Sequence, residues 1–421
     1  MTPQRRRVRS RRPVVVAAAA AVSAALAAGS GCAAGAGAGA GVGVGTGAGV
    51  GVGTGAARTA GPAVPLPAVP AVPAAGGLPA PAAVTRPADP GPAFGAYLDY
   101  GARGVARMAL LSQWLGGADL RVGHTYLPGD RWSNIEGRSG FLGVWADWRR
   151  ERSDRMLVLN VPMLERNEEG LPDAEVRALL RQGAAGRFDH HFRALAERLV
   201  ALRVPDTVIV LGWEMNGVTY THRCGPDPEA WTAYWRRIVT AMRAVPGQRF
   251  RFDFTPSRGR DAIPWTRCYP GDDTVDIVGM DSYDQPAGRS FDEQVTEPYG
   301  LRFHVDFAKS HGKALSYPEW GLFRNGDNPV YMRRMLDWMD RHRPLYNTLT
   351  DYCPHGVWQC TRNPEASRVY RSVLYGRTDG PAGPTAPQPP GSCSPLGLGG
   401  WIEHWIGGRP CVRPDRWPRV R

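Results

Sequence analysis

Residues 207–217 read TVIVLGWEMNG, and residues 313–321 read KALSYPEWG. Each is a short apolar run that ends in a glutamate followed by a turn glycine: Glu214 before Asn216-Gly217, and Glu319 before Gly321. Runs of this length, closed by glycine, read as buried strands. Working outward, similar runs are expected to form strands at 94–98, 120–126, 155–161, 250–255, 275–283 and 356–359, the last being the weakest. Helical periodicity fills most gaps, at 104–115, 141–150, 187–202, 228–244, 291–310, 329–341 and 364–374. In 188–202, Phe188, Phe192, Leu195, Leu199 and Leu202 fall on one helical face. Eight strands alternating with helices give an α/β fold of the (β/α)8 TIM-barrel type, with a doubly wound sheet as the alternative.

In a barrel of this kind the working residues sit where strands end. Glu214 then closes strand four and Glu319 strand seven, facing one another across the same barrel mouth. A carboxylic acid that protonates a leaving oxygen and a carboxylate that attacks an anomeric carbon are the pair that glycoside hydrolysis requires. A single glutamate at a strand end is as readily a loop cap or an arginine partner. Two of them, on strands four and seven, favour the catalytic reading. Around the pair, Trp213, Trp265, Trp320 and Trp358 are each either a stacking surface for a sugar or barrel packing. His124 and Tyr126 end strand two and Asn216 turns out of strand four, all within reach of sugar hydroxyls. Asp281 and Asp284 border strand six, where Asp284 shapes the site or caps the next loop. Arg258 and Arg260 follow strand five and pair with carboxylates or meet acidic sugars. His190 and His191 lie inside a helix and read as surface or packing residues.

The runs Trp213-Glu214-Met215-Asn216-Gly217, Val275 to Asp284 (VDIVGMDSYD) and Glu319-Trp320-Gly321, with Gly186-Arg187-Phe188-Asp189 ahead of strand four, together resemble glycoside hydrolase family 26. That is the β-mannanase family in the clan of (β/α)8 retaining glycosidases, and the likeness extends over roughly residues 93–376. It implies Glu214 as acid/base, Glu319 as nucleophile and Tyr283 as the strand-six residue that hydrogen-bonds the nucleophile. It also implies an endo-acting enzyme on a β-linked polysaccharide, working without metal or cofactor. One position departs: family mannanases usually carry His immediately before the acid/base, where this chain has Trp213. Other endo-β-glycanases acting on glucan or xylan, or a surface carbohydrate-binding barrel without catalysis, are the alternatives.

Composition limits the rest. Of 421 residues, 33–92 carry no aromatic side chain and alternate Gly, Ala, Val and Pro, as a disordered tether does. Residues 377–421 form a tail rich in Pro, Gly and Arg. Eleven of the 14 Trp fall in 93–376, a segment of single-domain size. The formal charge of +12 is inflated by six Arg among the first twelve residues; without them 45 basic groups face 39 acidic ones. No polybasic stripe suited to nucleic acid remains, and neither GxSxG nor HExxH occurs.

Residues 1–32 have the basic, apolar and small-residue regions of an export signal, with Cys32 placed either for lipid attachment or just beyond a cleavage site. A secreted or cell-surface protein is expected, touching membrane only through such a lipid, and monomeric. The remaining six Cys read as disulfides, pairing neighbours as Cys224–Cys268, Cys353–Cys360 and Cys393–Cys411. A zinc site is the rival, but no CxxC or HxxxH spacing supports it.

Overall fold

In the computed structural model, residues 92–378 are described. The expected export signal with Cys32, the tether up to residue 91 and the tail beyond 378 with Cys393 and Cys411 lie outside the described residues. Strands β1 (Ala93–Tyr97), β2 (Val122–Tyr126), β3 (Met156–Val161), β4 (Val208–Leu211) and β5 (Arg251–Phe254) pair in sequence, all parallel. The sixth barrel strand is split into β6 (Ile277–Val278) and β7 (Ser282–Tyr283), both lying along the seventh, β8 (Ala314–Gly321). The eighth, β9 (Tyr346–Thr350), joins β8 to β1 and closes the ring.

The period-2 rule sorts side chains between the two sides of this wall. Along β4, Val208 and Val210 join the smaller inner cluster with Val122, Val158 and Ile277, while Ile209 and Leu211 join the larger outer core. Outside the wall stand α1 (Ala102–Trp114), α2 (Trp132–Ile135), α3 (Leu142–Arg150), α4 (Asp173–Ala184), α5 (Asp189–Ala201), α6 (Pro228–Arg243), α7 (Phe291–Thr296), α8 (Leu301–Ser310), α9 (Pro329–His342) and α10 (Pro364–Leu374). The start of α6 shows the local code: Pro228 occupies the first turn, and the Asp227 side chain accepts from the Ala230 N–H. Its face of Trp231, Tyr234, Trp235, Ile238 and Met242 is fully buried. Truncating one of those tryptophans to Ala would cost about 3–5 kcal/mol.

Three expectations need correction. Residues 356–359 form no strand; the eighth is Tyr346–Thr350. Asn347, Thr348 and Thr350 make it too polar to read as an apolar run: Thr348 and Thr350 bond inside the barrel, and Asn347 accepts from Trp320 in the outer core. The span 291–310 is two helices, α7 and α8, broken around Tyr299, which has φ 62°. The expected strand 275–283 is interrupted after Val278, where a Cβ on Gly279 would sit 2.5 Å from both Asp253 Oδ1 and Thr255 Oγ1. Only glycine fits there, since buried Asp253 already accepts hydrogen bonds from Thr255, Ser316 and Tyr346. No helix among the described residues is long and apolar enough to cross a membrane.

Candidate active site

The chain leaves β4 through two left-handed residues, Gly212 (φ 55°) and Glu214 (φ 51°). For glycine this conformation is free; for glutamate it costs about 1–2 kcal/mol. Hydrogen bonds on both sides hold the turn, Gly212 N–H to Val161 O (2.9 Å) and Glu214 N–H to Thr255 O (2.8 Å). His222 adds a third from Nε2 to Trp213 O (2.9 Å). Asn216 locks the same turn to the loop after β5: its Oδ1 accepts from Ser257 N–H, and its Nδ2 donates to Ser257 O. The strained φ therefore belongs to a turn gripped from three directions, and it is the residue carrying the carboxyl that bears the strain.

Glu319 reaches the barrel interior by a bulge. Pro318 has no N–H for the ladder, and the register between β8 and β9 slips between Tyr317 and Trp320. Ser316 points inward to Asp253 and Tyr317 outward to Trp338. Strict alternation would then turn Glu319 outward; the bulge restores it to the lumen and sends Trp320 into the outer core. Inside, the Tyr283 hydroxyl donates to Glu319 Oε2 at 2.7 Å, and Asn160 Nδ2 donates to Oε1 at 3.1 Å. Tyr126 adds a third hydrogen bond to the carboxylate. Tyr283 is fixed in turn by Thr350 Oγ1 at 2.8 Å.

The two carboxyls share one electrostatic environment with different hydrogen bonding. Burial is the main force on Glu214, followed by the charge of Glu319, and together they push its pKa up to about 8. Burial raises Glu319 as well, but hydrogen bonds from Tyr283, Tyr126 and Asn160 oppose it. Glu214 has only Ser257 in that role. The first proton to leave the pair therefore comes from Glu319. Asp281 is a third buried carboxyl; burial and then the charges of Glu319 and Glu214 raise its pKa well above normal, keeping it protonated.

The structure redistributes the other candidates. Trp320 and Trp265 are fully buried: Trp320 donates to Asn347 Oδ1, and Trp265 packs among Phe254, Tyr299, Phe303 and Phe307. Neither presents a face to a sugar. Trp358 lies off the strands, half-buried against the outer core. His124 is fully buried behind Asn160, and both ends of the Asn216 amide are committed to backbone, so neither meets substrate directly. Trp213, 4% exposed, packs edge-on against Tyr126 and alongside Tyr220 and His222. Arg258 is buried in an ion pair with Glu297, whereas Arg260 is exposed. Asp284 is occupied by Gln294, Asn325 and Asn328. His191 pairs with Glu136 and stacks on Trp132, as a packing residue does.

Sequence reading overlooked Asn160 and the tyrosines Tyr97, Tyr100 and Tyr352 that stand about the pair with Tyr126 and Tyr283. Tyr97 contacts Tyr100, Tyr126 and Tyr352 at ring distances of 5.6, 4.7 and 6.1 Å. Tyr100, Tyr126 and Tyr352 remain partly exposed. Position at a strand end was the available signal: Tyr97 closes strand one and Tyr100 follows it, and Tyr352 follows the true strand eight. Both expected disulfides within the described residues form, Cys224–Cys268 and Cys353–Cys360, the first tying the loop after β4 to the turn after β5. Among the described residues, no three His, Cys, Asp or Glu side chains are grouped so as to hold a metal ion.

A closed parallel barrel with a carboxyl pair at the ends of strands four and seven, Glu319 buried and Glu214 half-buried, has the architecture of a glycoside hydrolase. The sequence model of Glycosyl hydrolase family 26 matches residues 195–319, a segment that contains Glu214 and closes on Glu319. That segment carries the sequence pattern of the family. No curated protein matches it. Among solved structures, the fold is shared with an endo-β-1,4-mannanase double mutant from Cellulomonas fimi (18% identity, TM-score 0.52, 68% of this chain and 71% of that one). It is shared too with the catalytic domain of a Bacillus sp. JAMB-750 GH26 endo-β-1,4-mannanase (17%, 0.52, 68% and 86%). A GH26 β-mannanase from Bacteroides ovatus gives 16%, 0.50, 69% and 89%.

Proposed function

We propose that this hydrolase cleaves a β-linked polysaccharide internally with retention of configuration, β-1,4-mannan being the first substrate to test. The observation that carries the assignment of roles is the unequal hydrogen bonding of the two carboxyls. Glu319, with three donors, is the ionised nucleophile; Glu214, with a raised pKa, is the acid. Glu319 attacks the anomeric carbon while Glu214 gives its proton to the departing glycosidic oxygen, leaving a glycosyl ester on Glu319 and a carboxylate on Glu214. Esterification removes the negative charge that had raised Glu214. As a base, Glu214 then takes a proton from water, whose oxygen attacks the anomeric carbon and releases Glu319 as carboxylate.

Support for mannan comes from the family and from the mannanases that share the fold. Trp213, where imidazole is usual, offers one donor and no acceptor, so discrimination among mannose, glucose and xylose differs from that of typical mannanases. Export, with or without lipid on Cys32, fits the two disulfides, which persist in oxidising compartments. The test is incubation with mannan, mixed-linkage glucan and xylan, followed by reducing-end analysis. Release of new ends from one of them, lost in Glu319→Ala and restored by azide with inverted product, is the expected result. Azide rescue with inversion at Glu214→Ala instead would exchange the two roles.

A further inference from the structure

The loop that follows β5 returns to the turn carrying Glu214. Its backbone is pinned at several points: Arg258 N–H donates to Asp281 O, Gly259 N–H to Tyr299 O, and the N–H groups of Ala262 and Ile263 to Asn216 O. Between these anchors Asp261 is left-handed, with φ 48°, a conformation that aspartate tolerates better than most side chains. Its carboxyl comes to rest over Gly217, in the turn just beyond Glu214. Gly217 is not itself left-handed, so glycine there answers to space: a Cβ would sit 3.0 Å from Asp261 Oδ2. Asp261 is exposed as a residue, yet desolvation still raises the pKa of its carboxyl, opposed only by the Ala262 N–H. No cation among the described residues pairs with it.

Charge fixes the side of the site on which this carboxyl stands. Asp261 acts on Glu214, whereas Asp261 and Glu319 do not act on one another. Glu319 attacks opposite the departing oxygen, so the departing sugar lies on the Glu214 side of the cleaved bond. A carboxyl beside Glu214, open to solvent and without a protein cation, faces that sugar. We propose that Asp261 is a specificity residue for the departing half of the substrate, accepting hydrogen bonds from hydroxyls of the sugar whose glycosidic oxygen Glu214 protonates; the role rests on Glu214 being the acid. An ionised carboxylate accepts without donating, and its hydrogen bonds are stronger than those between neutral groups. Sugars with free hydroxyls gain there, and a sugar bearing its own carboxylate is repelled. The same place receives a sugar that takes the part of water in the second step. Its hydroxyl oxygen then bonds to the anomeric carbon, its proton passes to Glu214, and Glu319 leaves as carboxylate.

Glycine and asparagine both accept a left-handed backbone, so Asp261→Gly and Asp261→Asn remove the carboxylate without distorting the loop. The full chain and both variants are assayed at pH 6, where Glu214 keeps its proton. Two substrates are compared: the glycan of the panel that is cleaved, and the 4-nitrophenyl bioside of the same sugar. In the bioside the nitrophenyl group takes the place of the departing sugar and offers no hydroxyl. Asp261→Gly is expected to lower kcat/KM on the glycan about tenfold. Asp261→Asn should lose less, since its amide oxygen still accepts. Both variants should stay within about twofold of native on the bioside. A second readout does not depend on the strength of Glu214, because both routes use it as base. With the bioside as donor and the disaccharide of the same sugar as acceptor, the ratio of transfer to hydrolysis should fall in Asp261→Gly. Equal losses on glycan and bioside, no loss on the glycan, or an unchanged transfer ratio overturns the proposal. Azide rescue separates that failure from a failure of the roles beneath it. Inverted product from Glu319→Ala keeps Glu214 as the acid and leaves Asp261 alone refuted, whereas inversion at Glu214→Ala removes the assignment itself. If no glycan of the panel is cut, the proposed function falls, and the role of Asp261 with it.

Discussion

Glu214 combines a left-handed backbone with a carboxyl whose proton is held up to about pH 8, and both properties have measurable consequences. With the proposed roles, turnover needs Glu319 ionised and Glu214 protonated, so the rate should follow a bell whose alkaline limb falls near pH 8. A pH–rate profile that stays flat to pH 10 would contradict that ordering. Stability carries the same signature. An acid whose folded pKa is raised contributes fully below its unfolded pKa, near the ordinary glutamate value, and loses that contribution as pH climbs through the folded pKa. Glu214→Gln should therefore melt increasingly above the native protein between pH 5 and pH 9, with little gap at pH 4; a gap independent of pH would contradict it. In activity the same variant should lose roughly 10²–10⁴ in kcat on polysaccharide. With an activated aryl glycoside, whose leaving group needs no proton, much less should be lost from the first step. His222, whose Nε2 holds Trp213 O, and the Asn216 clamp show that the strain is sustained by neighbours rather than by Glu214 itself.

Among the elements, the two loops that follow β4 and β5 behave as one unit. Asn216 bonds across them, Ala262 and Ile263 donate to the Asn216 carbonyl, and the Cys224–Cys268 bridge closes them. Removing the bridge as Cys224→Ser/Cys268→Ser should cost about 2–4 kcal/mol, or roughly 3–7 °C in Tm for a domain of this size. Calorimetry without reductant measures it, and an unchanged Tm would show that Asn216 alone braces the loops. These loops were legible in the sequence because glycine, asparagine and cysteine punctuate them. Glu214 and Glu319 were legible too, since each closes an apolar run. What sequence concealed was polar and tertiary in origin. The eighth strand, YNTLT, hides its strand character because Thr348 and Thr350 serve the inside of the barrel rather than a greasy face. Trp320 reads equally as a sugar platform or as packing, and the bulge at Pro318, invisible without the β9 partner, turns it outward into the core. Asn160 lies at the end of an ordinary-looking strand, MLVLNV, and only closure of the barrel brings it to Glu319.

The molecule as a whole offers a catalytic mouth bordered by tyrosines, with its tryptophans largely withdrawn into the wall. Tyr100, Tyr126 and Tyr352 give both a stacking face and a hydroxyl, as recognition of a neutral, hydroxyl-rich chain requires. Truncating Tyr352 to Phe should leave the fold intact and raise KM more than it lowers kcat; the opposite split would move it from binding into the reaction itself. Catalysis with a glycosyl ester on Glu319 demands two displacements at one carbon, and stereochemistry counts displacements. Proton NMR of the reaction in progress, on whichever β-glycan of the panel is cleaved, reads the new reducing end before it mutarotates. The β anomer should appear first and the α anomer only later. Initial release of the α anomer would mean a single displacement by water, and Glu319 could then not be the nucleophile.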